Sequence, residues 1–261
     1  MVKSREPVSV IILSRNRPLY LWACLDSLHR CTRCPARFIL VDNQSDDPGV
    51  RKVVAGFERR RMLDEVQWHD TNSPKRVADA IAQYRASPGK YLVVIESDVI
   101  VFDTSPCWLS QMCDIMEDHP KIGLLGSYID GRDFIDAAEA RRIAPDLDQY
   151  TLDGLIKAHS PERTLPHVPP REAVIEPFNP PGRLVMIRKD IIGAIPFGTD
   201  GLVYRMAKAA GIEARIATQV RHRHLSLLNI FDYPDYDVRA RDAFVGANEN
   251  GSPVFVDGES R

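Results

Sequence analysis

Apolar runs of strand length alternate with helix-spaced stripes through the first hundred residues. Val8 to Leu13 is a β-branched run of the kind found in a strand buried on both faces. A polar turn follows, Ser14-Arg15-Asn16-Arg17-Pro18, in which Pro18 suits the first turn of a helix. Leu21, Leu25 and Leu28, with Trp22, then form a stripe at helical spacing. Phe38 to Val41 predicts a second strand, closed by Asp42-Asn43-Gln44-Ser45-Asp46-Asp47. Val50 to Met62 predicts a helix rich in Arg and Lys, Val66 to Trp68 a short strand, and Lys75 to Arg85 another helix. Tyr91 to Ile95 is the most strand-like run of the chain and ends in Glu96-Ser97-Asp98.

This rhythm predicts an α/β fold, a mostly parallel sheet with helices on both faces and right-handed crossovers. Ligands of such sheets bind beyond the carboxyl ends of the strands. Three polar clusters fall there: Arg15-Asn16, Asp42 and Glu96-Ser97-Asp98. They are expected to share one crevice, with Asp42, Glu96 and Asp98 meeting around one divalent ion and its diphosphate. Farther on, Pro106 to His119 predicts a helix and Ile122 to Ile129 a strand. Periodicity weakens from Asp130 to Pro181, and seven prolines fall between Pro161 and Pro181, so a long irregular excursion is expected, a lid or substrate wall if not a spacer. Leu184 to Ile187 resumes as a strand. Thr199 can cap a helix from Asp200 to Ala210 that stops at Gly211. Ala214 to Val220 is strand-like and leads into Arg221-His222-Arg223-His224, read as a positively charged loop. The tail beyond Asp232 is polar and patternless.

Composition narrows the function. Thirty-four Lys and Arg against 36 Asp and Glu leave a net charge of −2, which supplies no basic field for nucleic acid. No apolar stretch approaches the roughly 18 residues that span a bilayer, so no transmembrane segment is expected. Met1 to Glu6 is charged, with no signal-peptide core after it, which predicts a cytoplasmic protein. Five cysteines, an odd number, argue against a disulfide framework. Cys31-Thr32-Arg33-Cys34 has the spacing of half a zinc site or a redox pair, but no matching pair lies nearby, and incidental packing is the expectation.

Each polar cluster admits two readings. Glu96 and Asp98, two apart at the end of a buried strand, suit Mg²⁺ or Mn²⁺ shared with substrate phosphates; otherwise they are a strand end turning into solvent. Asp42 can accept hydrogen bonds from a ribose or base edge, or the turn simply caps a helix through Ser45 or Asp46. His222 and His224 point the same way along an extended strand, toward a metal or diphosphate, or else are solvated surface histidines.

These segments together resemble family 2 glycosyltransferases. Val8-Ser9-Val10-Ile11-Ile12-Leu13-Ser14-Arg15-Asn16-Arg17-Pro18 is similar to that family's opening strand and loop, Ile39 to Asp47 to its second strand and acidic turn, and Gly89 to Asp98 to the stretch holding its Asp-x-Asp motif. Gly182 to Phe197 and Asp200 to Gly211 follow in the order of its acceptor-side segment. The resemblance covers residues 7–103 and 180–226. It implies a GT-A fold in one domain spanning residues 1–261: a nucleotide-binding half over 7–103, an acceptor half over 104–230 containing the irregular stretch 130–181, and a tail over 231–261. It also implies sugar transfer, with inversion, from a nucleoside-diphosphate donor to a saccharide or lipid-linked acceptor, with Mn²⁺ or Mg²⁺ as cofactor. By position, Arg15 and Asn16 would border the base that Asp42 contacts, Asn43, Arg76 and Ser97 would join the donor site, and Glu96 would face the ribose. Asp98 would bind the metal, His222 would close its site with His224 the fallback, and Asp200 would be the general base.

The sequence departs from the family where Glu96 replaces the first Asp of the metal motif. Thr199 stands where a second acid is common, and no clean Ala-Arg-Asn signature precedes the central strand, which leaves contacts from Arg76 or Asp79 without a register. A non-catalytic nucleotide- or glycan-binding member of the same fold is the alternative. A sugar-nucleotide nucleotidyltransferase would need a glycine-rich phosphate loop after the first strand, and Ser14 to Pro18 holds no glycine. A lipid-linked acceptor would bring the protein to the membrane surface.

Overall fold

In the computed structural model, residues 6–130, 171–177, 182–198 and 200–225 are described, with isolated positions at 138, 142, 148 and 149. A single nine-stranded sheet runs through them. Its first half is β1 (Val8–Ser14), α1 (Pro18–Cys31), β2 (Ala36–Asn43), α2 (Pro48–Arg59), β3 (Leu63–His69), α3 (Arg76–Tyr84) and β4 (Tyr91–Glu96). Its second half is β5 (Val99–Val101), α4 (Trp108–Asp118), β6 (Ile122–Ile129), β7 (Val174–Ile175), β8 (Leu184–Arg188), a 3₁₀ turn (Lys189–Ile191), α5 (Asp200–Ala209) and β9 (Glu213–His224). The spatial order is β3-β2-β1-β4-β8-β6-β9-β5, with β7 against β9. The four strands β3, β2, β1 and β4 are parallel. β8 runs antiparallel between β4 and β6, and β9 is parallel to β6.

The central strands are apolar on both sides because both sides are covered. Val10 and Ile12 of β1, Leu40 of β2 and Val93 and Ile95 of β4 pack with Leu21, Leu25 and Leu28 of α1, Phe57 of α2 and Met112 of α4. The alternate residues Ile11, Ile39, Val41, Leu92 and Val94 pack with Ala80, Ile81 and Tyr84 of α3 and Ala207 of α5. Alternation along a pleated strand sends each set to its own face. Fully burying one such side chain contributes about 1.5–3 kcal/mol.

The structure moves several predicted boundaries. α2 ends at Arg59 instead of Met62, because Arg61 takes a left-handed conformation (φ 55) that turns the chain and returns Met62 to the core. Its N-cap is Asp47, whose side chain accepts from the Gly49 N–H at 2.7 Å, and not Ser45 or Asp46. β3 is seven residues long; Asp64, Glu65 and Gln67 on this half-exposed edge strand dilute its apolar signal. β5 and β7 were not predicted, being three and two residues long. β7 gives the proline-rich excursion a foothold: Thr218 Oγ1 donates to the Glu172 carbonyl at 2.6 Å. Residues 131–170, apart from the isolated positions, and the tail lie outside the described residues, as does Thr199.

Of the two readings of the segment after Val220, the extended one holds: β9 continues through His224 and no charged loop forms there. Val101 pairs with His222 and Val99 with His224 across β5. The imidazoles are 1% and 3% exposed, so they are neither loop residues nor solvated surface histidines.

Candidate active site

Parallel pairing sets Ser14 opposite Asp42 and Leu13 opposite Glu96, which brings the ends of β1, β2 and β4 to one edge. The Ser97 N–H donates to the Leu13 carbonyl at 3.0 Å, so the chain leaves β4 still attached to β1. The predicted clusters therefore share that edge, but they do not share one ion. β1 lies between β2 and β4, so two strand spacings of about 4.8 Å separate the ends that carry Asp42 and Glu96. Among the described residues no three His, Cys, Asp or Glu side chains gather as a metal-binding cluster.

The first loop and the acidic turn hold each other. Both Asp42 carboxylate oxygens accept from Ser45, one from its backbone N–H at 2.8 Å and one from its hydroxyl. Asn16 N–H donates to Ser45 Oγ at 2.6 Å, and Asn16 Oδ1 accepts from the N–H groups of Asp46 and Asp47 at 3.0 and 3.1 Å. These bonds hold Asn16 and Arg17 in left-handed conformations, each at φ 54, which non-glycine residues adopt at a cost. Burial raises the Asp42 carboxyl above its ordinary value, against the opposing bonds from Ser45. Asn43, predicted at the donor, ties the end of β2 to the segment before α3. Its amide donates to Asn72 Oδ1 at 2.6 Å and accepts from the Ser73 N–H at 2.9 Å. Arg76, at the start of α3, donates to Thr71 Oγ1 at 2.7 Å.

Asp98 lies in a different setting. It is 5% exposed, and its Oδ2 accepts from Arg17 Nη1 at 3.1 Å and faces His224 Nε2 at 3.4 Å. Burial alone would raise its pKa, but His224, Arg183 and Arg17 outweigh it and hold the carboxyl well below the usual range. Its Oδ1 is buried without a hydrogen-bond partner among the described residues. Glu96 is part-exposed and pairs with Arg183, whose own carbonyl accepts from the Glu96 N–H at 2.9 Å. Ser97 is buried between these acids.

His222, expected to close the metal site, is buried with its two ring nitrogens in different settings. Its Nδ1 lies 2.6 Å from Ser127 Oγ, while its buried Nε2 has no partner among the described residues. Burial, with neighbouring His224 and Arg183, pushes its pKa down to about 3, so the ring is neutral. His224, the predicted fallback, is the histidine that meets Asp98. Asp200 is the first residue of α5; its side chain lies outside the described residues. Sequence reasoning missed Arg17 and Arg183. The first was in view as the neighbour of Arg15 and Asn16. The second precedes β8, whose reversed direction delivers it to the edge where β4 ends.

A buried carboxylate among one imidazole and two guanidinium groups is an anchor for a cation or for an anion chelated by one. The carboxylate oxygen with no partner fits a divalent ion that takes few protein ligands and shares substrate phosphates. No helix among the described residues is long and apolar enough to cross a membrane.

The sequence model described as glycosyl transferase family 2 matches residues 9–175, more than half of the chain. Among solved structures, TarS of S. aureus (residues 1–349) shares 15% identity over 91% of this chain and 69% of that chain, with a TM-score of 0.58. A mannosyltransferase from Pyrobaculum calidifontis, in complex with GDP-Man and Mn²⁺, shares 16% identity over 96% and 66%, with a TM-score of 0.55. A glucosyl-3-phosphoglycerate synthase from Mycobacterium tuberculosis, in complex with Mn²⁺, uridine diphosphate and phosphoglyceric acid, shares 16% identity over 95% and 79%, with a TM-score of 0.51. At these identities the likeness shows a common fold. Compared with curated proteins, the chain has no match.

Proposed function

Because the chain belongs to glycosyl transferase family 2, we propose that it moves a sugar, with inversion, from a nucleoside-diphosphate donor to an acceptor hydroxyl, with Mn²⁺ or Mg²⁺ as cofactor. The observation that carries the reading is Asp98: a buried, ionised carboxylate just past the end of the central parallel strand, with one oxygen that has no hydrogen-bond partner among the described residues and an imidazole beside it. Asp98 and His224 would hold the divalent ion, and it would neutralise charge developing on the leaving diphosphate.

The chain's own residues supply the rest. Arg17 and Arg183 add positive charge beside Asp98, where a departing diphosphate needs it. The interlocked loops of Asn16 and Asp42 form a preorganised wall for the nucleoside. An ionised carboxylate has about four lone-pair sites, so Asp42 can serve Ser45 and still accept from a base. Arg15 borders this wall, Arg76 reaches it from α3, Ser97 lines the floor, and Glu96, steadied by Arg183, faces the ribose. His222, oriented by Ser127, backs the metal pair and offers a neutral nitrogen. Asp200, at the N-terminus of α5, is assigned the general base. A helix dipole keeps a carboxylate there ionised, which is the state that accepts a proton from the acceptor hydroxyl. The acceptor is a saccharide or a lipid-linked saccharide.

Isothermal titration with uridine and guanosine diphosphates, with and without Mn²⁺, tests this reading. Nucleotide binding that requires the metal in the intact chain, and disappears in Asp98→Asn, is the expected result. Equal affinity in the presence and absence of metal would overturn it.

A further inference from the structure

The Cys-x-x-Cys spacing directs attention to Cys31 and Cys34, yet the fold pairs Cys34 with a different cysteine. Cys34 Sγ lies 3.8 Å from Cys107 Sγ, across 73 residues of sequence, and all five cysteines are free thiols. We infer that Cys34 and Cys107 are a redox-sensitive pair that closes to a disulfide when peroxide reaches it, fastening the turn between α1 and β2 to the start of α4.

Three contacts already dock these two segments. Arg33 Nη1 donates to the Thr104 carbonyl at 2.9 Å, the same guanidinium pairs with the Asp103 carboxylate, and Trp108 Nε1 donates to Thr32 Oγ1 at 3.0 Å. The backbone flanking each thiol is thus fixed, and reaching the bonding distance of about 2.05 Å is left to side-chain rotation. Cys34 is part-exposed, which gives a small oxidant a route to the buried Cys107 beside it. Cys107 is the N-cap of α4, with Ser110 Oγ at 3.3 Å. A helix N-terminus favours a thiolate. Hydrogen bonding from Cys34, with help from Ser110 and backbone N–H groups, brings the Cys107 thiol down to about 4 against the cost of burial. The proton retained by the pair raises Cys34 in return.

The chemistry closes with peroxide as the oxidant. The Cys107 thiolate attacks one peroxide oxygen, the O–O bond breaks, and a sulfenic acid and hydroxide result, the latter taking up a proton. Cys34 sulfur then attacks the sulfenyl sulfur, its proton and the sulfenyl hydroxyl leaving as water. Two thiols and one hydrogen peroxide give one disulfide and two waters, the sulfurs losing two electrons that the peroxide gains. The 14-residue α1 spans about 21 Å and separates this pair from Arg17, so closure acts on stability and leaves nucleotide affinity alone. This inference stands independently of the donor reading.

The test treats the full chain with stoichiometric hydrogen peroxide, quenches with catalase, alkylates with iodoacetamide and maps peptides without reduction. The expected result is a Cys34–Cys107 cross-linked peptide, a thermal midpoint raised by several degrees, and reversal of both by dithiothreitol. Cys34→Ser should abolish the cross-link and Cys31→Ser should retain it. A Cys31–Cys34 cross-link, or full alkylation of Cys34 and Cys107 after peroxide, would overturn the inference. If a variant does not fold, the peptide map of the unmutated chain decides alone.

Discussion

Two buried aspartates sit at the carboxyl ends of parallel strands and differ in almost everything else. Asp42 and Asp98 are 1% and 5% exposed. Asp42 is served mainly by a hydroxyl and a backbone N–H of its own turn, and burial raises its pKa. Asp98 is served by side chains from distant elements, all cationic or able to become so, and its pKa falls despite its burial. Burial alone therefore does not mark a ligand site. Long-range cationic partners and a buried oxygen without a hydrogen bond among the described residues set Asp98 apart from Asp42, whose own bonds stay within its turn.

The largest effect expected is that of Asp98→Asn. Removing the charge of the carboxylate that would hold the ion should take metal-dependent nucleotide affinity beyond detection by titration calorimetry, with far-UV circular dichroism unchanged. Asp200→Asn adds a third carboxylate to the contrast. Transfer measured by product formation should fall about 10²–10⁴-fold while nucleotide affinity stays within a factor of two or so. Asp42→Ala should act on the fold first. It leaves the Ser45 N–H and hydroxyl hydrogen without their acceptor, a loss of about 1–3 kcal/mol, read as a lower thermal midpoint, and nucleotide affinity should weaken about tenfold as the Asn16 loop loosens.

The smallest effects lie in pH dependence, where the aspartates should have opposite signs. The folded pKa of Asp98 is depressed, so its contribution is present above the ordinary 3.8 and is lost as pH falls through the folded value. The folded pKa of Asp42 is raised, so its contribution is whole below 3.8 and is lost as pH rises through the folded value. His222, depressed from 6.5 to about 3, stabilises fully above 6.5 and progressively less down to about 3. In urea titrations across that window, His222→Gln should flatten the acid loss, and a slope identical to the unmutated chain's would refute a buried neutral imidazole.

Much of this was legible along the chain. Strands β1, β2, β4, β6 and β8 declare themselves because each is an apolar run, and Ile122–Ile129 falls where its pattern predicts. The edge strand β3 is longer than its apolar signal, since a strand solvated on one face tolerates Asp64 and Glu65. The end of β9 was hidden by composition: four cationic or titratable residues in a row read as solvent-facing, although β5 and the core enclose both imidazoles. At the site, Asp98 was expected at the metal with His222 first and His224 as the fallback, and the structure sets His224 beside Asp98. Arg183 was not legible, because no local pattern announces that an antiparallel strand begins where β4 ends. Cys107 likewise carries no motif, as its partner lies 73 positions away.

The reversal of β8 has a topological consequence. β6 finishes and β8 begins on the same rim, with Gly126 opposite Val185 and Ser127 Oγ 3.5 Å from the Leu184 carbonyl. The chain thus leaves β6 and enters β8 at neighbouring posts, with β7 paired to β9 on the way. Closing such a tether costs only about 0.6 kcal/mol more for each doubling of its length. Segments of other lengths can therefore be grafted over residues 131–170 while the strands beneath keep their places, provided that β7 stays paired with β9.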